Sequence, residues 1–83
     1  MTNGQLIRNH TIFFAYFCHL IEIKQTESAV DLCDIGFKLD EEINRRNITD
    51  FQIEEYMKNA HLDPQDRLMV NTYIFPDIDL LQD

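Results

Sequence analysis

The segment from about Gln5 to Lys24 contains no turn signal, and its centre, residues 11–21 (TIFFAYFCHLI), is apolar on every side. Ile, Phe and Tyr also favour β structure, so a strand is the rival interpretation. The uninterrupted length favours a helix, with Asn3 as its N-cap. A helix that is apolar all round is buried all round. The segment therefore predicts a central helix that needs neighbours on three faces.

An 83-residue domain has few other elements with which to cover such a helix. We expect part of its aromatic surface to remain exposed, and an exposed patch of that size normally marks an interface. This predicts a homodimer. The residues predicted for self-association are Phe13, Phe14, Tyr16 and Phe17.

A second helix is predicted from about Glu27 to Arg46, capped by Thr26 or Ser28. Its apolar stripe consists of Ala29, Leu32, Cys33, Gly36, Leu39 and Ile43. Gly36 in mid-helix costs about 1 kcal/mol relative to Ala, which indicates close approach of a neighbouring helix. Three acid–base pairs four residues apart predict a solvated outer side: Asp34–Lys38, Glu41–Arg45 and Glu42–Arg46.

A third helix follows a capping box made by Thr49 and Gln52, with Ile48 and Ile53 as its hydrophobic staple. A short fourth helix is capped by Asp63 and runs toward Pro76, although residues 73–75 could instead be extended. The chain has only two Gly and two Pro, which favours helices over a turn-rich β fold.

These elements predict an all-α fold: a small bundle of three to four helices, in which an antiparallel hairpin packs with a third helix and a short C-terminal helix or extended tail. We expect a single domain over residues 1–83, with 76–83 as a flexible acidic tail. Short connections between the helices favour antiparallel neighbours.

The net charge of −8, from 15 acids and 7 bases, indicates the kind of partner. Nucleic acid and anionic membranes both require clustered Lys and Arg, so neither is expected to bind. A basic protein is the partner that this charge would attract; the alternative is that acidity serves solubility alone. We also expect no signal peptide and no membrane span, which predicts a cytoplasmic protein.

Catalysis and metal binding are not expected. His10, His19 and His61 include no pair three or four apart, as two ligands on one helix face would need. Cys18 and Cys33 fall on apolar surfaces, where burial makes a thiol inert, and we predict two free, slowly reacting thiols. The sequence therefore predicts neither an enzyme nor a bound metal or cofactor.

Acids without an obvious basic neighbour gather in the second half of the chain, with two tyrosines that could anchor a partner. The predicted partner-binding residues are Asp50, Glu54, Glu55, Tyr56, Asp63, Asp66, Tyr73, Asp77 and Asp79. The alternative is that Asp50, Glu54 and Glu55 merely complement a helix dipole and that Tyr56 is core.

In size, charge and expected helicity, the chain resembles bacterial immunity proteins, antitoxins and phage-encoded inhibitors. The resemblance is one of general design and includes no diagnostic motif. It implies a small acidic inhibitor that neutralises a basic partner, such as a nuclease toxin or another nucleic-acid enzyme. The alternative is a self-associating structural or adaptor protein with no inhibitory role.

Overall fold

The computed structural model describes residues 1–76, and within them the chain forms four α-helices and no strand. The helices are α1 (Asn3–Glu22), α2 (Thr26–Arg45), α3 (Asp50–Lys58) and α4 (Pro64–Tyr73). The predicted all-α bundle is confirmed. The last seven residues, with the predicted binding residues Asp77 and Asp79, lie outside the described part of the chain.

α1 is the central helix, because it packs against α2, α3 and α4, while the three outer helices do not approach one another closely over residues 1–76. The three neighbours that its apolar sequence requires are thus supplied by the same chain. The core forms around α1 and reaches every other helix and both longer connections. Its members are Leu6, Ile7, Ala15, Ile43, Ile48, Ile53, Met57, Leu62 and Val70.

The predicted stripe of α2 faces α1, with Ala29, Gly36 and Ile43 fully buried. A Cβ atom added at Gly36 would lie 2.7 Å from Cε1 of Phe13, closer than two carbon atoms can pack. The close approach that the mid-helix glycine predicted is therefore present, and it is made by an aromatic side chain of α1.

Two predicted N-caps are wrong. Thr2 caps α1 in place of Asn3, because its hydroxyl accepts from the Gln5 backbone while the Gln5 side chain accepts from the Thr2 backbone, which completes a capping box. For α2, neither Thr26 nor Ser28 is the cap. The turn after α1 brings Gln25 to that position, with no side-chain hydrogen bond to the helix.

α3 and α4 begin at the residues that the sequence predicts. Thr49 and Gln52 form the capping box of α3, and both Ile48 and Ile53 are buried in the core. Asp63 precedes α4 and Pro64 is its first residue, although the Asp63 side chain makes no capping hydrogen bond.

A residue with left-handed backbone conformation follows each of the two long helices. It is Lys24 (φ 62°) after α1 and Asn47 (φ 56°) after α2. After α2, the Asn47 amide donates to the Asn44 carbonyl and the Ile48 amide donates to the Ile43 carbonyl. The same pattern of backbone hydrogen bonds closes α1. These are Schellman motifs, and in the second one Ile43 and Ile48, the two positions where this motif usually has an apolar contact, both belong to the buried core.

The ion pairs of α2 differ from the prediction. Glu42 receives both arginines: Arg45 donates to it from three residues away, and Arg46 lies 3.4 Å from it. The hydrogen bond from Arg45 lowers the pKa of the Glu42 carboxyl. Only the Glu42–Arg46 pair was predicted correctly. Within residues 1–76, no ion pair joins Asp34 to Lys38. Arg45 pairs with Glu42 and not with the neighbouring Glu41.

Candidate functional site

The predicted binding acids of α3 are not free of basic neighbours. The Lys58 ammonium lies 3.7 Å from a carboxylate oxygen of Glu54 and 3.5 Å from one of Glu55. Lys58 follows them by four and three residues, which is the helical spacing that brings side chains together. The prediction that Glu54 and Glu55 lack a basic neighbour is therefore wrong, although one ammonium serves two carboxylates.

Other predicted binding residues belong to contacts within the fold. Asp66 accepts a 2.8 Å hydrogen bond from the Tyr16 hydroxyl, which ties α4 to α1. The Tyr73 hydroxyl lies 3.0 Å from Nδ1 of His19, across the same pair of helices. Asp66 and Tyr73, both predicted to bind a partner, thus help to hold α4 against α1.

Tyr56 and Asp63 remain accessible. Tyr56 is 38% exposed, and one side of its ring lies over Gly4, where an added Cβ would be 2.8 Å from the ring. Asp63 is exposed at the start of α4. The structure therefore leaves only part of the predicted set free on the surface.

The predicted self-association aromatics are half-buried, so the expected exposed patch on α1 is smaller than predicted. Phe13, Phe14 and Phe17 pack edge to face along α1, and α2 covers part of them. With Cys33, Gly36 and Phe37 of α2, they line a depression of about 210 Å³, here called the aromatic groove. Tyr16 does not line it and turns toward α4.

Two of the exposed apolar side chains of α2 lie beside its core-facing stripe, on the flank that carries Cys33. Val30 is 67% exposed and Phe37 is 66% exposed. Asp34 and Glu41 continue the same helical face, since positions 30, 34, 37 and 41 lie above one another. We call these four residues the outer face of α2. Phe37 also lines the aromatic groove, so the two surfaces are continuous.

This outer face is acidic, although one exposed base, Lys38, lies beside it. Glu27 and Asp31 flank it, and both are exposed, as are Asp34 and Glu41. None of these four acids takes part in an ion pair within residues 1–76. Helical spacing alone conceals this surface, because it pairs Asp34 with Lys38 and Glu41 with Arg45. The available signal was two apolar residues seven apart, Val30 and Phe37, on the flank of the core stripe.

A second depression, of about 410 Å³, lies between α1, α3 and the end of α4 and is here called the α1–α3 cleft. Its lining residues are His10, Thr11, Phe14, Asp50, Ile53, Glu54, Ile74 and Phe75. Two of the predicted binding acids, Asp50 and Glu54, meet here one turn apart. On the α1 side, Nε2 of His10 lies 3.3 Å from an Asp40 carboxylate oxygen.

Thr11 is the most deeply buried residue of the cleft lining, at 2% exposure. Its hydroxyl has no hydrogen-bond partner among the described residues. A buried hydroxyl without a partner costs about 1–3 kcal/mol, and buried polar groups are rarely left so. The hydroxyl oxygen has almost no accessible surface, so it does not open into the cleft, which combines apolar walls with two carboxylates.

Residues 1–76 contain no group of three His, Cys, Asp or Glu side chains arranged to hold a metal ion. Both cysteines are free thiols and half-buried, and the Cys33 thiol lies 3.5 Å from the Ala29 carbonyl. Among the described helices, none has the length and apolarity needed to cross a membrane.

The chain matches no family model, no curated protein and no solved structure. Its function must therefore be inferred from the outer face of α2, the aromatic groove and the α1–α3 cleft.

Proposed function

We propose that this chain is a small acidic inhibitor that acts in the cytoplasm by binding a basic protein. The observation that carries the proposal is the outer face of α2, where Val30 and Phe37 stand exposed among four unpaired acids. The partner classes are those implied by the resemblance to immunity proteins, antitoxins and phage-encoded inhibitors, namely a nuclease toxin or another nucleic-acid enzyme.

The apolar part of this surface supplies affinity in the proposal. Large exposed side chains that are grouped on one face mark interaction sites, and aromatic side chains are frequent anchors of binding hot spots. Phe37 stands at the junction of the outer face and the aromatic groove. A partner side chain that enters the groove would pack on Phe37 and on the rings of Phe13 and Phe17.

The acidic part supplies steering and specificity. Unpaired surface charge accelerates the approach of an oppositely charged protein and disfavours acidic ones. Glu27, Asp31, Asp34 and Glu41 extend over four turns of α2. A nucleic-acid enzyme presents Lys and Arg where it binds phosphates. Carboxylates placed there would occupy the positions of the phosphates and block the substrate.

Self-association is the second proposal, and the aromatic groove favours it because its lining is almost entirely apolar. A twofold contact through the outer face of α2 would place the same acids opposite one another. A homodimer would therefore have to use the groove and avoid the outer face. Light scattering at micromolar concentration tests this directly: twice the chain mass supports the homodimer, and the mass of one chain contradicts it.

Affinity capture from the native host tests the inhibitor proposal. The bait is the full chain, compared with Asp31→Lys/Asp34→Lys on α2 and with Glu55→Lys/Asp63→Lys as a control of equal charge change. We expect the unaltered chain and the control to retain one basic protein that the α2 variant loses. The purified partner should then lose its activity when an equimolar amount of the chain is added.

Two results would contradict the proposal. One is a captured partner that is acidic and whose activity the chain leaves unchanged. The other is the reverse pattern, in which the α2 variant retains the partner and the control loses it. Circular dichroism of each variant verifies that the helices are intact.

A further inference from the structure

We infer that the aromatic groove receives a basic amphipathic helix of the partner protein, with one large apolar side chain of that helix seated between α1 and α2. The inference rests on the proposed function, because it states the form and the chemistry of the element through which the partner binds. A partner that binds through a loop would leave the proposed function standing and overturn this inference alone.

The aromatic groove follows the line between α1 and α2. His10 of α1 lies 3.3 Å from Asp40 of α2. Phe13, further along α1, lies against Gly36, which is further back along α2. The two helices therefore pass each other antiparallel, and both line the groove. A third helix packs into such a groove by fitting its rows of side chains between those of its neighbours.

An extended segment would find less to bind on this surface. Extended peptides gain affinity by pairing their main chain with the edge of a sheet, and residues 1–76 form helices and no strand. The backbone groups in the middle of α1 and α2 are bonded within each helix. Recognition must therefore come from side chains, which a bound helix presents on one face at three- and four-residue spacing.

The size of the groove suits one side chain. Its volume of about 210 Å³ lies below the range of roughly 300–1,000 Å³ that small-molecule sites occupy. Phe37 lies at its edge and is 66% exposed. Val30, two turns before Phe37 on the same helix, is 67% exposed and extends the apolar surface. The apolar stripe of a bound helix would contact both residues.

Acids border the groove along α2. Asp34 and Glu41 precede and follow Phe37 on the outer face and make no ion pair within residues 1–76. Lys38 follows Phe37 in sequence and so lies about 100° around the helix from it. Lysine or arginine beside the apolar stripe of a bound helix would meet the two carboxylates, whereas acids there would be repelled.

Asp40 adds a carboxylate at one end of the groove. Its side chain is 51% exposed, and it contacts His10, whose ring centroid lies 4.7 Å from that of Phe14. Phe14 lines the groove, so these contacts hold the carboxylate near it. A twofold dimer through the groove would bring Asp40 of both copies to the same interface. The charges therefore favour a basic helix over a second copy of this chain.

Nuclear magnetic resonance titration of the full chain with peptides of about 15 residues tests the inference. The probe consists of leucine and lysine, with the leucines three and four residues apart on one helical face. One control alternates the same residues, which favours a strand, and the other has glutamate for lysine. We expect the probe to shift the amides of Phe14, Gly36 and Phe37 and to bind about tenfold more tightly than either control.

Three results of this titration would overturn the inference. They are an absence of shifts with the leucine–lysine probe, shifts confined to other parts of the chain, and equal binding of the alternating peptide. Shifts of Phe14 and Phe37 on dilution of the chain alone, without peptide, would assign the groove to a second copy and also overturn it.

Two exposed phenylalanines provide a matched pair of variants. Phe37→Ser should weaken binding of the leucine–lysine probe by about tenfold, because the ring at the edge of the groove is lost. Phe51→Ser removes a ring that is 70% exposed on α3 and should leave the affinity unchanged. An equal loss in both variants would show that the peptide adheres to any exposed ring and has no site in the groove.

Two pairs of acids test the role of charge. Asp34→Asn/Glu41→Gln should weaken binding of the probe by about threefold and flatten its salt dependence. Glu55→Gln/Asp63→Asn makes the same change of charge away from the groove and should resemble the unaltered chain. If both pairs weaken binding equally, overall charge attracts the peptide and the acids beside the groove do not select it.

Competition with the captured partner separates this inference from the proposed function. A partner that the chain inhibits, and that a saturating amount of the leucine–lysine probe does not displace, overturns the inference alone. Binding of the probe as expected, together with a captured partner whose activity the chain leaves unchanged, overturns the proposed function alone. Displacement of an inhibited partner by the probe supports both.

Discussion

The hydroxyl of Tyr16 donates a 2.8 Å hydrogen bond to the Asp66 carboxylate and so joins the central helix to α4. The sequence assigned these residues to two different intermolecular surfaces, Tyr16 to self-association and Asp66 to partner binding. Their contact within one chain gives both half-buried side chains a partner inside the fold. It also predicts a measurable dependence of stability on pH.

The hydrogen bond to Asp66 raises the pKa of Tyr16 above its ordinary value of 10.0, and burial adds to the effect. The folded state thus holds the phenol proton more tightly than the unfolded chain does. This contribution to stability is complete below about pH 10 and is lost as the pH rises through the higher folded pKa. Tyr16→Phe should lower the free energy of unfolding at pH 7 by about 1 kcal/mol.

Urea unfolding of both proteins between pH 7 and pH 11 measures this effect. The two free energies should converge at the alkaline end, because the unaltered chain loses there what the variant already lacks. Tyr56→Phe is the matched control, since Tyr56 packs on Gly4 and not on a carboxylate. A constant difference between Tyr16→Phe and the unaltered chain across this range would contradict the assignment.

Gly36 and Phe13 provide the second prediction. Alanine at a mid-helix glycine normally gains about 1 kcal/mol, but at Gly36 the new Cβ would lie 2.7 Å from the Phe13 ring. We expect Gly36→Ala to give no gain in the unaltered chain and a gain of about 1 kcal/mol in the Phe13→Ala background. Urea unfolding of the four proteins of this double-mutant cycle measures the coupling, and identical effects in both backgrounds would exclude it.

Lys24 provides the third prediction because it occupies the left-handed region without being glycine or asparagine. That conformation costs an ordinary residue about 1–2 kcal/mol. Lys24→Gly should therefore raise the free energy of unfolding by about 1 kcal/mol. Gln25→Gly, one residue later with φ −89°, is the control and should give no gain. A stabilisation by the control as large as that of Lys24→Gly would show that backbone strain at Lys24 is not the cause.

The two thiols provide the fourth prediction. Cys18 and Cys33 are free and half-buried, and Cys33 also lies along the aromatic groove. Both should react with a bulky aromatic disulfide reagent more slowly in the native protein than in the urea-unfolded chain, because packing restricts access to sulfur. Rapid labelling of both cysteines in the native state would contradict the packing around them.

The elements of the fold could be predicted from local patterns. The unbroken apolar segment indicated a central helix, and the Thr49–Gln52 capping box located the start of α3. The errors arose where several local partners compete. Glu42 and Glu41 are both within reach of Arg45, and spacing alone does not decide which of them it contacts.

The candidate functional surfaces were harder to predict because they depend on tertiary structure. The α1–α3 cleft assembles residues 10–14, 50–54 and 74–75, which no local pattern connects. The outer face of α2 was visible as Val30 and Phe37 at helical spacing. The spacing of Asp34 and Lys38 instead predicted an ion pair, which is typical of an ordinary solvated side.

The most direct test of the proposed function is the rate at which the chain associates with its captured basic partner, measured by stopped flow from low to high salt. We predict that Asp31→Lys/Asp34→Lys slows association and flattens its salt dependence, because the steering charges are reversed. Val30→Ser/Phe37→Ser should instead speed dissociation, and Glu55→Lys/Asp63→Lys should resemble the unaltered chain. Unchanged rates in both α2 variants, with the salt dependence intact, would contradict the assignment of the outer face of α2 as the binding surface.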